Sequence, residues 1–122
     1  MSAILKTPGP DHAITITPSQ KRVRVKFNGK RIAETDAALI LKEASYPPVH
    51  YIPRVDADMD FFERTERVTH CPYKGDANYF SLIDRARRAD NTVWTYEAPD
   101  AAVAAISGHL AFYPDKVEIS EV

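Results

Sequence analysis

The sequence predicts a mainly β domain of antiparallel sheets with one or two short helices. Val23, Val25 and Phe27 alternate with Arg22, Arg24 and Lys26, the period of a strand with one buried face. Asn28-Gly29 follows at once and supplies the two positive-φ positions of a tight hairpin turn. Beyond them, roughly nine short extended runs are separated by proline, glycine, asparagine and aspartate, and only two stretches have helical spacing.

Residues 1–12, with Pro8, Gly9 and Pro10 and no periodicity, read as a flexible tail, and residues 13–122 as a single domain. Ala13 to Thr17 reads as a short edge strand ended by Pro18. Counting outward from Asn28-Gly29 pairs Phe27 with Lys30, Lys26 with Arg31 and Val25 with Ile32. Lys26 beside Arg31 is tolerable only where water reaches both, so the basic face is expected to be a solvated exterior. Ala37 to Leu41 is apolar on both faces and reads as an interior strand. Pro47-Pro48 interrupts, Val49 to Ile52 is extended again, and Pro53 closes it. From Asp56 to Glu63 the spacing predicts a short helix, with Asp56 as its cap and Met59 and Phe62 on one side.

The next extended run reaches His70, with Val68 and His70 facing one way and Arg67 and Thr69 the other. Tyr79, Ser81 and Ile83 alternate with Phe80 and Leu82, and Asp84 to Asp90 reads as a charged connector. Thr92 to Tyr96 is a strand with Trp94 and Tyr96 on one face. Pro99-Asp100 before Ala101 to Ile106, with Gly108 beyond, punctuates a second short helix. His109 to Tyr113 and Val117 to Ile119 close the chain as strands around a Pro114-Asp115 turn.

Composition removes several classes. Hydrophobic content of 44% with 27% charged residues is that of a globular chain. The longer unbroken apolar runs, Ala37 to Leu41 and Ala101 to Ile106, are far too short to cross a bilayer, and the prolines near Ile4 and Leu5 break any secretion signal. A single cysteine excludes an internal disulfide and a cysteine-rich zinc site, and points to a reducing, cytoplasmic setting. The formal net charge of -1 offers no global attraction for nucleic acid or anionic lipid.

Chemistry concentrates in Thr69-His70-Cys71-Pro72-Tyr73-Lys74-Gly75, which holds an imidazole, the only thiol, a phenol and an ammonium in one loop shaped by Pro72 and Gly75. Cys71 fits a thiolate nucleophile or an inert half-buried thiol. His70, its neighbour on a strand, faces the opposite way and is poorly placed to activate it; His109 is the other candidate base. His70 shares a face with Val68, which suits a hydrogen-bonded core histidine as well as a functional one. Lys74 fits either a surface lysine or an anion-binding one.

Asp56, Asp58 and Asp60 stand two apart. A calcium helix-loop-helix would need glycine where Phe61 stands and glutamate where Arg67 stands. An Asp-x-Asp pair holding magnesium and an acid-rich helix start are the remaining readings. Arg85, Arg87 and Arg88 read as a solvated cluster. Tyr73, Tyr79, Trp94 and Tyr96 suit a planar-ligand pocket or a core.

Arg22-Val23-Arg24-Val25 with Asn28-Gly29, then Tyr51-Ile52-Pro53-Arg54, then the run from Thr69 through Gly75 to Asp76-Ala77-Asn78-Tyr79, resemble the domain-of-unknown-function 427 family. Trp94-Thr95-Tyr96-Glu97-Ala98-Pro99 and the run from Ile106 to Pro114 fit its C-terminal half. The resemblance implies a β-tent-like fold, two antiparallel sheets at a steep angle with a cleft between them. Many tent domains carry a four-cysteine zinc site, for which this chain lacks the ligands. A tent relative reduces methionine sulfoxide with a cysteine whose sequence context differs from that of Cys71. The family often carries a nucleotidyltransferase label, which implies two metal-binding carboxylates beside a Gly-Ser or Gly-Gly pair; no such pair occurs here.

The family pattern maps onto Arg54, His70, Cys71, Tyr73, Lys74, Tyr79, Trp94 and His109 as a ligand pocket. The resulting expectation is a domain binding a small planar or anionic molecule of unknown identity, with no cofactor, metal, nucleic acid or membrane. Lys74 and Arg54 would hold an anion, and Trp94 and Tyr79 would form the apolar wall. The alternatives are an enzyme, through Cys71-dependent transfer or hydrolysis or metal-assisted nucleotidyl transfer at Asp56 and Asp58, and a homodimer paired through an exposed sheet edge.

Overall fold

The computed structural model describes residues 12–122; residues 1–11, most of the expected tail, lie outside the described residues. Ten strands follow one another: β1 (Ile14–Pro18), β2 (Val23–Phe27), β3 (Lys30–Thr35), β4 (Leu39–Glu43), β5 (Val49–Pro53), β6 (Phe62–Cys71), β7 (Gly75–Asp84), β8 (Arg87–Thr95), β9 (His109–Phe112) and β10 (Glu118–Glu121). They form a seven-stranded sheet in the order β1-β4-β5-β9-β8-β7-β6 and a three-stranded sheet in the order β10-β2-β3. All strand pairings are antiparallel. The chain is therefore mainly β with two antiparallel sheets, as its alternation predicts.

Period-two alternation gives the large sheet two different faces. One carries Ile52, Phe80, Leu82, Val93, Leu110 and Phe112 against Val23, Val25, Phe27, Ile32 and Ala33 of the small sheet. Each fully buried large side chain here contributes about 1.5–3 kcal/mol in transfer from water. The opposite face carries Leu41, Tyr51, Ala77, Tyr79, Tyr96 and Ala111, covered in part by Val103 and Ile106 from the 3-10 segment Ala101–Ile106. This second face is rich in aromatic residues, and it bears the candidate site.

The β2–β3 hairpin departs from simple counting. Phe27 pairs with Lys30 and Lys26 with Arg31 as expected, but Val25 pairs with Ala33, because a bulge leaves Ile32 as an extra residue. The bulge lets Ile32 and Ala33, adjacent in sequence, both be buried. Two arginines of the basic face are neutralised locally. Arg22 Nε donates to Glu34 at 2.7 Å and Arg22 Nη1 to Asp36 at 2.5 Å, while Arg24 Nε donates to the other Glu34 oxygen. The Arg24 and Arg22 hydrogen bonds hold the Glu34 carboxyl down to about 2.

Two further expectations are corrected. No helix spans Asp56 to Glu63: two 3-10 turns, Arg54–Asp56 and Met59–Phe61, lead into β6, which takes Phe62 and Glu63 by pairing them with Leu82 and Ser81. Sheet pairing outweighs a weak local helical signal. Asp56 caps nothing; it accepts from Thr35 Oγ1 at 2.6 Å, whereas Asp58 accepts from Asp60 N at 3.2 Å. Nor is Asp84 to Asp90 a connector, because β7 turns into β8 through Arg85-Ala86, with Arg85 at φ 56°. Asp84 there accepts from Asn28 Nδ2 at 2.8 Å and Lys30 Nζ at 2.9 Å, tying the tips of two hairpins together.

Candidate functional site

The large sheet is curled, and the candidate site lies in the curl. β4 and β7 stand four strands apart in the order β4-β5-β9-β8-β7, about 19 Å in a flat sheet at ordinary strand spacing. Yet Lys74 Nζ, from the turn joining β6 to β7, donates directly to Glu43 Oε1 at the end of β4. His12 Nε2 meets the other Glu43 oxygen at 2.7 Å, and its ring stacks on Tyr73 at 3.7 Å with 7° between the planes. His12, the last residue of the expected tail, is thus part of the closure. The pair is well covered, with the Lys74 side chain 10% and the Glu43 side chain 14% exposed. Burial raises the Glu43 pKa, but the hydrogen bonds from Lys74 and His12 outweigh it and hold the carboxyl below its ordinary value.

Local geometry fixes the Lys74 end of this bridge. Lys74 N donates to Cys71 O at 3.3 Å, and Asp100 N donates to Lys74 O at 3.0 Å, so the turn is anchored at both sides. Gly75 then starts β7 at φ +106°, a conformation that excludes most side-chain-bearing residues. Lys74 Nζ also stands 5.9 Å from the centre of the Tyr96 ring.

Between the arms of the curl is a cavity of about 850 Å³ with aromatic walls. Trp94 Nε1 donates to the Tyr51 hydroxyl at 3.2 Å, the two rings meeting edge to face. Trp94 also packs on Tyr113 at 4.7 Å between centroids. The Tyr79 hydroxyl and Thr69 Oγ1 are 2.9 Å apart. Burial pushes the Tyr51 and Tyr96 phenols well up, so both remain protonated donors. Tyr46, Pro47, Pro48, Tyr113 and Pro114 frame the mouth, and of the small sheet only Ile119 contributes to the lining. The cleft thus belongs mainly to the large sheet, rather than lying between the two sheets as expected.

Of the residues expected in one pocket, His70, Cys71, Tyr73, Lys74, Tyr79 and Trp94 border this cavity, and Arg54 and His109 do not. Arg54 follows β5 onto the other face, where Arg54 Nη2 reaches Glu97 at 3.2 Å and its guanidinium lies over Phe80. Arg64 joins the same Glu97. His109 Nδ1 is 3.0 Å from Ser107 O. His70 is no core histidine, because its face of β6 is solvated, with Val68 56% exposed. Its Nδ1 pairs with Asp76, its cross-strand partner, at 2.7 Å. Cys71 points inward and packs against the aromatic face. Lys74 is neither a surface lysine nor an unpaired cation.

Sequence reading passed over His12, Glu43, Tyr51 and Tyr113. Glu43 and Tyr51 sit in unremarkable strands, His12 and Tyr113 just outside β1 and β9, and only the curl gives them a common role. Asp56 and Asp58 line a separate hollow of about 420 Å³ with Arg22, Arg31 and Glu34. Among the described residues no three His, Cys, Asp or Glu side chains gather as metal ligands would, and no helix is long and apolar enough to cross a membrane.

No curated protein matches the sequence. A family match covers residues 15–122, from the first strand to the last residue, and takes in every cleft residue but His12. On that extent of match, the chain belongs to the family described as a domain of unknown function, DUF427.

Proposed function

We propose that the curl of the large sheet is a binding site for a small, planar, largely apolar molecule. The observation that supports this reading most is the aromatic cavity itself. Trp94, Tyr51, Tyr79, Tyr96 and Tyr113 present flat walls around about 850 Å³, a volume in the range of small-molecule sites. A two-ring ligand burying on the order of 200 Å² of apolar surface gains about 5 kcal/mol in transfer, and each aromatic contact adds about 0.5–1.5 kcal/mol. After an association cost of about 4 kcal/mol or more, dissociation constants between roughly millimolar and micromolar follow. The Glu43–Lys74–His12 group at the floor is already paired internally, so it favours hydrogen-bonding edges over a full ligand charge.

The test is direct because the only tryptophan lies in the wall. Titration with phenylnaphthylamine, a neutral two-ring dye with an amine edge, is expected to quench Trp94 and saturate at one dye per chain. Trp94→Ala, followed through the dye's own emission, should weaken binding at least tenfold. Tyr113→Ala, at the more exposed mouth, should weaken it without threatening the fold. Absence of saturable binding, or equal affinity in both variants and the parent, would remove the proposal.

A further inference from the structure

The cleft's floor offers no cation to a ligand, but its rim does. Lys74 is committed to Glu43, and Arg54 lies on the far face with Glu97. Arg67 is different: its guanidinium carbon stands 5.1 Å from the centre of the Tyr79 ring, and no carboxylate pairs with it among the described residues. Tyr79 is a wall of the cavity, and Arg67, itself outside the lining, stands against that wall.

The backbone aims it there. β6 is the outer strand of the large sheet, and its register with β7 breaks between Arg64 and Val68. Within the break Thr65 Oγ1 accepts from Arg67 N at 3.3 Å and meets Asn91 Oδ1 at 2.6 Å, so the bulge is pinned to β8. Bulges of this kind re-aim a side chain, here onto the cavity-bearing face that also carries Thr69 and Cys71. Hydroxyls of Thr69 and Tyr79 cluster beside it. Tyr113 is close enough to respond: burial and the Tyr79 hydroxyl raise its pKa, and the Arg67 charge lowers it.

We propose that Arg67 is the residue that selects the ligand's charge, so that the cleft takes aromatic oxyanions with the ring inward and the acidic group at the rim. This rests on the cleft being a ligand site, and adds the chemical class and orientation of what it takes. A guanidinium stacked on a tyrosine is flat, weakly hydrated and presents its edge donors to an oxyanion.

The experiment compares anilinonaphthalene sulfonate with phenylnaphthylamine, its parent without the sulfonate. The folded protein is expected to bind the sulfonate roughly tenfold more tightly than the neutral dye, an advantage that shrinks as salt is raised. Arg67→Gln should abolish that advantage while leaving the neutral dye's affinity within about twofold. Arg67→Lys should restore part of it, and Arg85→Gln, a control on the exposed β7–β8 turn, should leave it intact. Equal affinity for the two dyes in the unaltered protein, or a preference that persists in Arg67→Gln, overturns the proposal while leaving the cleft as a neutral-ligand site. Failure of both dyes to bind overturns the cleft reading, and this one with it.

Discussion

The Glu43–Lys74 bridge is the contact on which the shape of the cleft depends, and Glu43→Gln isolates it. The substitution keeps the side-chain size and removes the charge, leaving the Lys74 ammonium beside the Tyr96 ring with no counter-ion. Removing one partner of a fully buried pair costs about 3–5 kcal/mol. With the two side chains 10% and 14% exposed and the floor opening onto the cavity, about 2–3 kcal/mol is the appropriate figure here. For a chain of this size that corresponds to a fall in Tm of about 8–15 °C. Glu43→Gln/Lys74→Met removes both charges and should recover at least half of the loss, because a vacated ion pair is far less harmful than a broken one. Thermal unfolding followed by Trp94 emission and circular dichroism measures all three differences. A drop below about 3 °C in Glu43→Gln, the behaviour of a surface pair, refutes the reasoning, as does a double variant no more stable than the single one.

Acid should destabilise the fold through the same group. The folded Glu43 pKa lies below its ordinary 4.5, so its contribution is complete above that value and is lost as pH falls through the folded pKa. Glu97 and Asp84 are shifted the same way, so urea midpoints should fall below about pH 5, and less steeply in Glu43→Gln. Gly75→Ala should cost about 1–2 kcal/mol through its positive φ rather than through a clash, since the added carbon would meet Ala98 O and Asp100 N at 3.6 Å; a cost under about 0.3 kcal/mol would mean the turn is not held there. Cys71 borders the cavity, so saturating phenylnaphthylamine should slow its reaction with a bulky disulfide reagent at least fivefold, and equal rates would place the dye elsewhere.

Much of the strand pattern was legible because one-sided burial writes itself into alternation. Val23, Val25 and Phe27 are all buried, and the hairpin tip sits at Asn28-Gly29 as read. The failures have a common cause. Ile32 was paired with Val25 because counting assumes a regular ladder, and bulges leave no mark in composition. Phe62 looked helical beside Met59, but only the distant Leu82 could reveal its pairing. At the site, Tyr79 and Trp94 were readable as aromatic residues on alternating positions, and the two pair across β7 and β8. Arg54 and Lys74 were joined on charge alone, without the faces of β5 and β7 to separate them. Glu43 was invisible, since a carboxylate closing an ordinary strand acquires meaning only from a lysine 31 residues later.

The alternation that placed Cys71 inward also decides what its neighbourhood can do. His70 looks outward to Asp76, so the adjacent imidazole and thiol never form a pair across the strand. Inside the curl, Glu43 spends one oxygen on Lys74 and the other on His12. The interior is consequently an aromatic chamber whose Glu43–Lys74 ion pair is satisfied within the fold. A charge entering it would exchange water for surroundings with no spare counter-ion, which is unfavourable by several kcal/mol. Behind the Tyr79 wall the balance differs, because the exposed Arg67 lies over the tyrosine face and has no carboxylate partner among the described residues. On the proposed reading, a molecule that suits both regions is divided, with apolar rings that enter and an oxyanion held near Arg67.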